Sequence, residues 1–116
     1  MSVARQCLTA EAEARLKAFK REVEKALPGQ VTEMRLFGSR ARGDATEDSD
    51  YDVAVFLRDA SDRSPVRTIL SDAAYPHVID GYFIRAISVP SNYLGHVNGY
   101  RPELADEIAR HGFPIG

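Results

Sequence analysis

A glycine–serine turn followed by two closely spaced aspartates is the feature that most constrains the fold of this chain. The first segment, Leu36–Gly43, reads Leu-Phe-Gly-Ser-Arg-Ala-Arg-Gly, and the second, Ser49–Val55, reads Ser-Asp-Tyr-Asp-Val-Ala-Val. Apolar residues before the turn and after the aspartates predict two strands, near residues 31–37 and 51–57. The block therefore predicts a strand, a turn that enters a short helix, and a second strand that begins at the aspartates.

The spacing of the two aspartates predicts a shared carboxylate site. Side chains at i and i+2 of a strand lie on the same face, with Cα atoms roughly 6–7 Å apart. Asp50 and Asp52 are therefore expected to point in one direction and Tyr51 in the other. Two carboxylates this close repel each other unless a cation compensates them. Mg²⁺ suits such a pair, because it takes oxygen ligands from one or two carboxylates and from substrate phosphates.

The turn before the aspartates has the residue types of a phosphate site. Gly38 permits close approach of the backbone, and Ser39 offers both an N–H and a hydroxyl as donors. Arg40 and Arg42 carry planar guanidinium groups that suit phosphate oxygens. Together with the carboxylates, this turn predicts binding of a nucleoside triphosphate through metal ions. The sequence contains no Gly-x-x-x-x-Gly-Lys-Ser/Thr motif, which excludes a P-loop ATPase.

The remaining periodicity predicts an α/β (α+β) fold in which helices cover a small mixed sheet. An apolar stripe predicts a first helix over about residues 9–27, with Thr9 as its N-cap. A second helix is expected to begin near residue 64 and to end before Pro76. The third helix is expected over about residues 102–111, and a third strand near residues 77–88.

Length, charge and cysteine content fit one small domain, which we expect over residues 1–116. The sequence has no apolar run near the roughly 20 residues of a membrane span, and its start has no signal-peptide pattern. Cys7 is the one cysteine, so neither a disulfide framework nor a zinc site is predicted. A net charge of −2 gives no general attraction to nucleic acid. We expect a cytoplasmic protein with no membrane or long nucleic-acid partner.

Gly38-Ser39, a stretch of about ten residues and then Asp50-Tyr51-Asp52 resemble the signature of the nucleotidyltransferase superfamily that includes DNA polymerase β. The likeness is greatest to its minimal nucleotidyltransferases, the MNT proteins, and its motifs are specific over residues 36–57. The resemblance implies the nucleotidyltransferase fold. It also implies Mg²⁺-dependent transfer of a nucleoside monophosphate, with ATP as the expected substrate and two metal ions assisting attack on the α-phosphorus.

The resemblance assigns roles to two groups of residues. Asp80, in the predicted third strand, matches the third carboxylate that MNT proteins carry on a later strand, and Gly81 after it departs from a regular strand pattern. The expected catalytic and metal-binding residues are thus Asp50, Asp52 and Asp80. The expected nucleotide-binding residues are Gly38, Ser39, Arg40 and Arg42.

The acceptor of the nucleotide is also implied by the resemblance. MNT proteins are commonly encoded beside helical HEPN proteins, which are often ribonuclease toxins, and some transfer AMP to a tyrosine of that toxin. The resemblance therefore implies an antitoxin that modifies a HEPN partner. Two alternatives stay open. The first is an antitoxin that acts by contact alone. The second is a small-molecule nucleotidyltransferase that modifies, for example, an antibiotic and works as a homo-oligomer, in the simplest case a homodimer.

An apolar segment near the end of the chain is a candidate contact with that partner. Core packing explains the same residues equally well. They are Tyr93, Leu94, Val97, Tyr100 and Phe113.

Overall fold

The computed structural model describes residues 8–58, 63–92 and 102–116. Within these ranges no helix is long and apolar enough to cross a membrane. Cys7 and the apolar residues at 93–100 lie outside the described ranges, whereas Phe113 packs against the larger part of the core. The described elements, in chain order, are α1 (Ala10–Ala26), β1 (Val31–Phe37), α2 (Ser39–Arg42), β2 (Tyr51–Leu57), α3 (Arg63–Ile79), β3 (Ile84–Pro90), α4 (Pro102–His111) and β4 (Phe113–Pro114).

The four described strands form one mixed sheet in the order β3-β2-β1-β4. β1 runs antiparallel to both of its neighbours, and β2 and β3 are parallel. Asp52 lies opposite Phe37 of β1 and opposite Arg85 of β3. The end of β1 and the starts of β2 and β3 therefore meet at one end of the sheet, where the predicted motif lies. The predicted fold class, a small mixed sheet covered by helices, is confirmed.

Helices α1 and α3 cover one face of the sheet. The Thr9 hydroxyl accepts a hydrogen bond from the Ala12 N–H at 3.0 Å, which caps α1 as the sequence predicts. The apolar stripe of α1 is buried against every second residue of β1 and β2, as expected because strand residues two apart share a face. The buried residues of this face include Leu16, Phe19, Val23, Met34, Leu36, Tyr51, Val53, Val55, Val66 and Leu70.

Helix α4 packs against the other face. Its Ile108 is fully buried with Phe37, Ala54 and Phe56. Because strand side chains alternate, Asp52 lies on this same face, two residues before Ala54. Asp52, at the start of β2, therefore adjoins α4. The residue before it, Tyr51, packs on the other face, under α1 and α3.

The predicted boundary between the second helix and the third strand is wrong. Helix α3 continues through Pro76 to Ile79, and β3 begins only at Ile84. Ala74 and His77 are buried, so packing against the core holds the helix together past a residue that lacks an N–H donor. Gly81, with φ +94°, then turns the chain toward β3.

Candidate active site

The two aspartates of the motif lie at the start of β2, on the α4 face. The Asp50 side chain is 46% exposed, and Asp52 is half-buried. Burial raises the pKa of Asp52 above its ordinary value; Arg85 and Arg42 oppose that rise, whereas the charges of Asp50 and Glu107 add to it. The site thus concentrates carboxylates in a partly desolvated position, where they gain from a compensating cation.

Arg85 supplies positive charge beside this pair and was not predicted from the sequence. It is the β3 residue opposite Asp52, and its Nη1 lies 3.9 Å from Asp50 Oδ2. Its side chain is 72% exposed. The sequence shows that Arg85, Ile87 and Val89 alternate along one strand face, but it does not show the register that pairs this face with β2. Placing the third strand too early in the chain concealed that register.

The glycine of the predicted phosphate turn lies directly against Asp52. Gly38 is buried and has φ +77° and ψ −157°, a conformation open to glycine almost alone. A Cβ atom built at Gly38 would collide with Asp52 Oδ2. The Gly38 carbonyl accepts hydrogen bonds from the N–H groups of Ala41 and Arg42 at 3.0 Å each. Glycine is therefore required here both by backbone conformation and by the closeness of the carboxylate.

Arg40 holds the segment between the turn and the aspartates. Its Nη2 donates to the carbonyl oxygens of Ser49 at 3.0 Å and Glu47 at 3.2 Å. Its guanidinium also stacks over the Tyr51 ring, 4.3 Å from the ring centre. Arg40 thereby fixes the approach to Asp50, and its predicted contact with nucleotide stays a prediction.

Arg42 points toward α4 and pairs with an acidic residue there. Its Nη1 donates to Glu107 Oε1 at 3.0 Å, and its Nε lies 3.4 Å from Asp44 Oδ2. The hydrogen bond that Arg42 donates to Glu107 is the main reason that the pKa of Arg42 is raised, and Asp44 adds to the rise. The predicted phosphate contacts of Arg42 and of the half-buried Ser39 stay predictions.

Glu107 is a second charged residue of the site that was not predicted from the sequence. Its Oε2 is buried and has no hydrogen-bond partner among the residues that the structure describes. Its charge acts on Asp52. The available signal was its place next to Ile108 on the apolar side of α4, where a carboxylate is unusual without a partner.

Asp80 does not lie with the other two aspartates. It follows α3 in a turn rather than in a strand, and its Oδ2 is 2.6 Å from Arg15 Nη1. Arg15 belongs to α1, which covers the face opposite to Asp52, and it also stacks over Tyr82 at 5.0 Å. The strand placement of Asp80 is wrong for the same reason as the α3 boundary, and its role as a metal ligand stays a prediction.

The donor set at the start of β2 fits a cation shared with substrate phosphates. In residues 8–58, 63–92 and 102–116, no group of three or more His, Cys, Asp or Glu side chains is arranged to hold a metal ion alone. Mg²⁺ commonly takes only one or two carboxylates and completes its coordination with phosphates and water. Asp50 and Asp52 meet that requirement, and the unpartnered oxygen of Glu107 adds to the demand for positive charge.

Comparisons with known proteins agree with this geometry. The family model for the nucleotidyltransferase domain matches residues 16–109. No curated protein matches the chain. Among solved structures, a toxin–antitoxin with AMP-PNP has a TM-score of 0.59 and 18% identity, over 86% of this chain and 72% of that chain. A mutant of the toxin–antitoxin MntA-HpeT has a TM-score of 0.58 and 15% identity over the same shares of the two chains.

A third solved structure broadens the comparison. A putative nucleotidyltransferase from Sulfolobus solfataricus has a TM-score of 0.50 and 19% identity, over 90% of this chain and 82% of that chain. At such identities the three structures show a shared fold. The family match spans most of the chain, including the glycine–serine turn and both aspartates of the β2 site. The predicted resemblance is confirmed, and the chain belongs to the nucleotidyltransferase domain family.

Proposed function

We propose that this protein is an antitoxin that transfers AMP from ATP to a tyrosine of a helical HEPN toxin. The family match supports the reaction class. Two toxin–antitoxin structures with the same fold, one of them with the ATP analogue AMP-PNP, support the partner and the nucleotide. The observation that carries the proposal is the contact of the Gly38 turn with Asp52, beside the exposed carboxylate of Asp50.

In this proposal the turn holds the nucleotide and the carboxylates hold the metal. Because Gly38 has no side chain, the Asp52 carboxylate can lie directly against the turn. The N–H and hydroxyl of Ser39 would donate to the β- and γ-phosphates. Asp50 and Asp52 would hold Mg²⁺, as two ions in the two-metal scheme. Bound Mg²⁺ would neutralise charge on the triphosphate and promote attack at the α-phosphorus. The tyrosine Oη–Pα bond forms, the bond from Pα to the β-phosphate oxygen breaks, and pyrophosphate and a proton leave.

Asp80 has a positioning role in this proposal. To serve as a third ligand it would have to leave Arg15, with which it forms a close ion pair beside α1. We therefore propose that Asp50 and Asp52 hold the metal without it. Asp80 would instead fix Arg15 and, through the stacked Tyr82, the start of β3.

The test is transfer of label from α-labelled ATP with Mg²⁺, with and without a helical HEPN protein as the proposed partner. Label should appear on the partner and should disappear when Asp50→Ala and Asp52→Ala are combined. The matched control combines Asp48→Ala and Asp72→Ala, which remove two exposed carboxylates elsewhere. Persistent labelling by the Asp50/Asp52 double variant would overturn the site assignment.

A second candidate is an antitoxin that neutralises its partner by contact alone. Arg85 favours it, because a fixed positive charge beside Asp50 already compensates part of the carboxylate pair. This candidate predicts a tight complex that blocks the toxin without label on either protein. The transfer assay, combined with an assay of the partner's activity, separates the two.

A further inference from the structure

Arg85 and the carboxylate pair share one end of the α4 face. The parallel register places Arg85 opposite Asp52, and its Nη1 lies 3.9 Å from Asp50 Oδ2. At that distance the two groups attract each other as charges without forming a hydrogen bond. The guanidinium of Arg85 therefore lies close to the position that a divalent cation bound by Asp50 and Asp52 would take.

We propose that Arg85 is a built-in counter-ion that weakens binding of free divalent cation to Asp50 and Asp52, so that the metal binds together with the nucleotide. This inference rests on the proposed metal-dependent function. It assigns to Arg85 a role in setting cation affinity, in addition to the residues that bind phosphate or metal.

The direction of the effect follows from charge. A unit positive charge several ångströms from a divalent ion repels it, and in a water-like dielectric the repulsion lowers cation affinity by roughly tenfold. A triphosphate brings several negative charges to the same place. The negative charges of the triphosphate offset the positive charges of both Arg85 and the cation. The nucleotide therefore removes the repulsion that a free cation meets.

The other arginine near Asp52 is less suited to this role. Arg42 is engaged by Glu107 at 3.0 Å and by Asp44 at 3.4 Å, so two carboxylates already offset its charge. Arg85 has a single ion pair at 3.9 Å among the described residues, and that pair is with the proposed metal ligand itself.

Binding of Mn²⁺ alone, measured from the loss of its free electron-paramagnetic-resonance signal, tests the inference without requiring activity. Wild-type protein is compared with Arg85→Gln and Arg85→Lys. The matched control is Arg110→Gln, because the Arg110 side chain is 71% exposed and also pairs with an aspartate, Asp106, at 2.9 Å. Far-ultraviolet circular dichroism of each variant checks that it is folded.

We expect Arg85→Gln to bind Mn²⁺ roughly tenfold more tightly than wild type, since one repelling charge is gone. Arg85→Lys, which keeps the charge, and Arg110→Gln should stay near the wild-type affinity. Equal Mn²⁺ affinity in wild type and a folded Arg85→Gln variant would overturn the inference.

Equilibrium dialysis of AMP-PNP separates failure of the inference from failure of the proposed function. If wild-type protein binds AMP-PNP in a Mn²⁺-dependent way while Arg85→Gln leaves Mn²⁺ affinity unchanged, the inference about Arg85 alone is wrong. If Mn²⁺ has no effect on AMP-PNP binding by wild type and by Arg85→Gln, the metal-dependent function itself is overturned, and the inference with it.

Discussion

Two aspartate–arginine pairs lie near the same end of the sheet, on opposite faces, and they differ in how tightly they are held. Asp80 and Arg15 are 2.6 Å apart, and Arg15 also stacks over Tyr82. Asp50 and Arg85 are 3.9 Å apart and both are substantially exposed. The first pair joins helix α1 to the turn before β3, whereas the second borders a half-buried carboxylate and a glycine turn.

This difference indicates which carboxylates are available to bind a metal ion. A carboxylate already held by a close ion pair has little to gain from a metal, whereas a pair of adjacent, loosely compensated carboxylates has much to gain. By this criterion we propose that Asp50 and Asp52 are the reactive pair and that Asp80 has a structural role. The following predictions compare the two regions.

The largest expected effect is that of Asp52→Asn. Loss of a proposed metal ligand should reduce AMP transfer about 100-fold or more. The same change should raise the melting temperature at neutral pH. Burial raises the pKa of Asp52 in the folded protein, so the folded state binds this proton more tightly than the unfolded state, and stability falls as pH rises through the folded-state pKa.

Transfer assays and thermal melts of the same Asp52→Asn preparation check both parts. The stability gain should shrink in acid, where wild-type Asp52 is itself protonated. Asp48→Asn, in the exposed loop, is the control and should change neither quantity. A variant that loses activity because it melts at a lower temperature would count against the active-site assignment.

The second prediction compares two glycines with positive φ. Gly38→Ala should lower the free energy of unfolding by about 2–4 kcal/mol and abolish AMP-PNP binding, because the new Cβ meets Asp52. Gly81→Ala, with φ +94° and nothing within 4 Å of the added atom, should cost about 1–2 kcal/mol from backbone strain alone. Its AMP-PNP binding should be retained. Denaturant unfolding and calorimetry measure both, and unchanged binding by Gly38→Ala would contradict the placement of the phosphate turn.

The third prediction concerns Asp80. Asp80→Asn should lower the free energy of unfolding by less than about 1 kcal/mol, because its side chain is 51% exposed and exposed ion pairs contribute little. Transfer should stay within about twofold of wild type in the same assay. Asp106→Asn, which breaks the exposed pair with Arg110, is the matched control. A loss of transfer as large as that of Asp52→Asn would make Asp80 the third catalytic carboxylate after all.

The smallest expected effect is a pH dependence of the melting temperature that arises from His77, near the Arg15–Asp80 pair. Burial, assisted by the charge of Arg15, lowers the pKa of His77, while Asp80 opposes this. The folded state then holds the proton less tightly than the unfolded state, so the stability contribution is present above about pH 6.5 and is lost as pH falls through the folded-state pKa. His77→Gln should flatten the melting temperature between about pH 8 and 5. His111→Gln, exposed at the end of α4, should follow the wild-type curve.

Much of the fold could be predicted because local signals and packing agree there. The Thr9 cap and the apolar stripe of α1 act within one element, and the apolar runs of β1 and β2 match strands with buried residues on both faces of the sheet. Pro76 misled the prediction, because a proline usually ends a helix, whereas burial of His77 keeps α3 intact for another turn.

The candidate site could be predicted only where it is continuous in sequence. Gly38 and Asp52 come together because β1 and β2 are consecutive antiparallel strands in which Phe37 lies opposite Asp52. Arg85 and Glu107 reach Asp52 through the parallel register of β3 and the packing of α4, which depend on long-range contacts that a single sequence does not reveal.

A crystal structure with Mg²⁺ and AMP-PNP would test the central claim most directly. We predict that a cation lies between the carboxylates of Asp50 and Asp52, that the β- and γ-phosphates contact Gly38 and Ser39, and that Asp80 remains paired with Arg15. A cation bound by Asp80, or a nucleotide on the face covered by α1 and α3, would contradict the account.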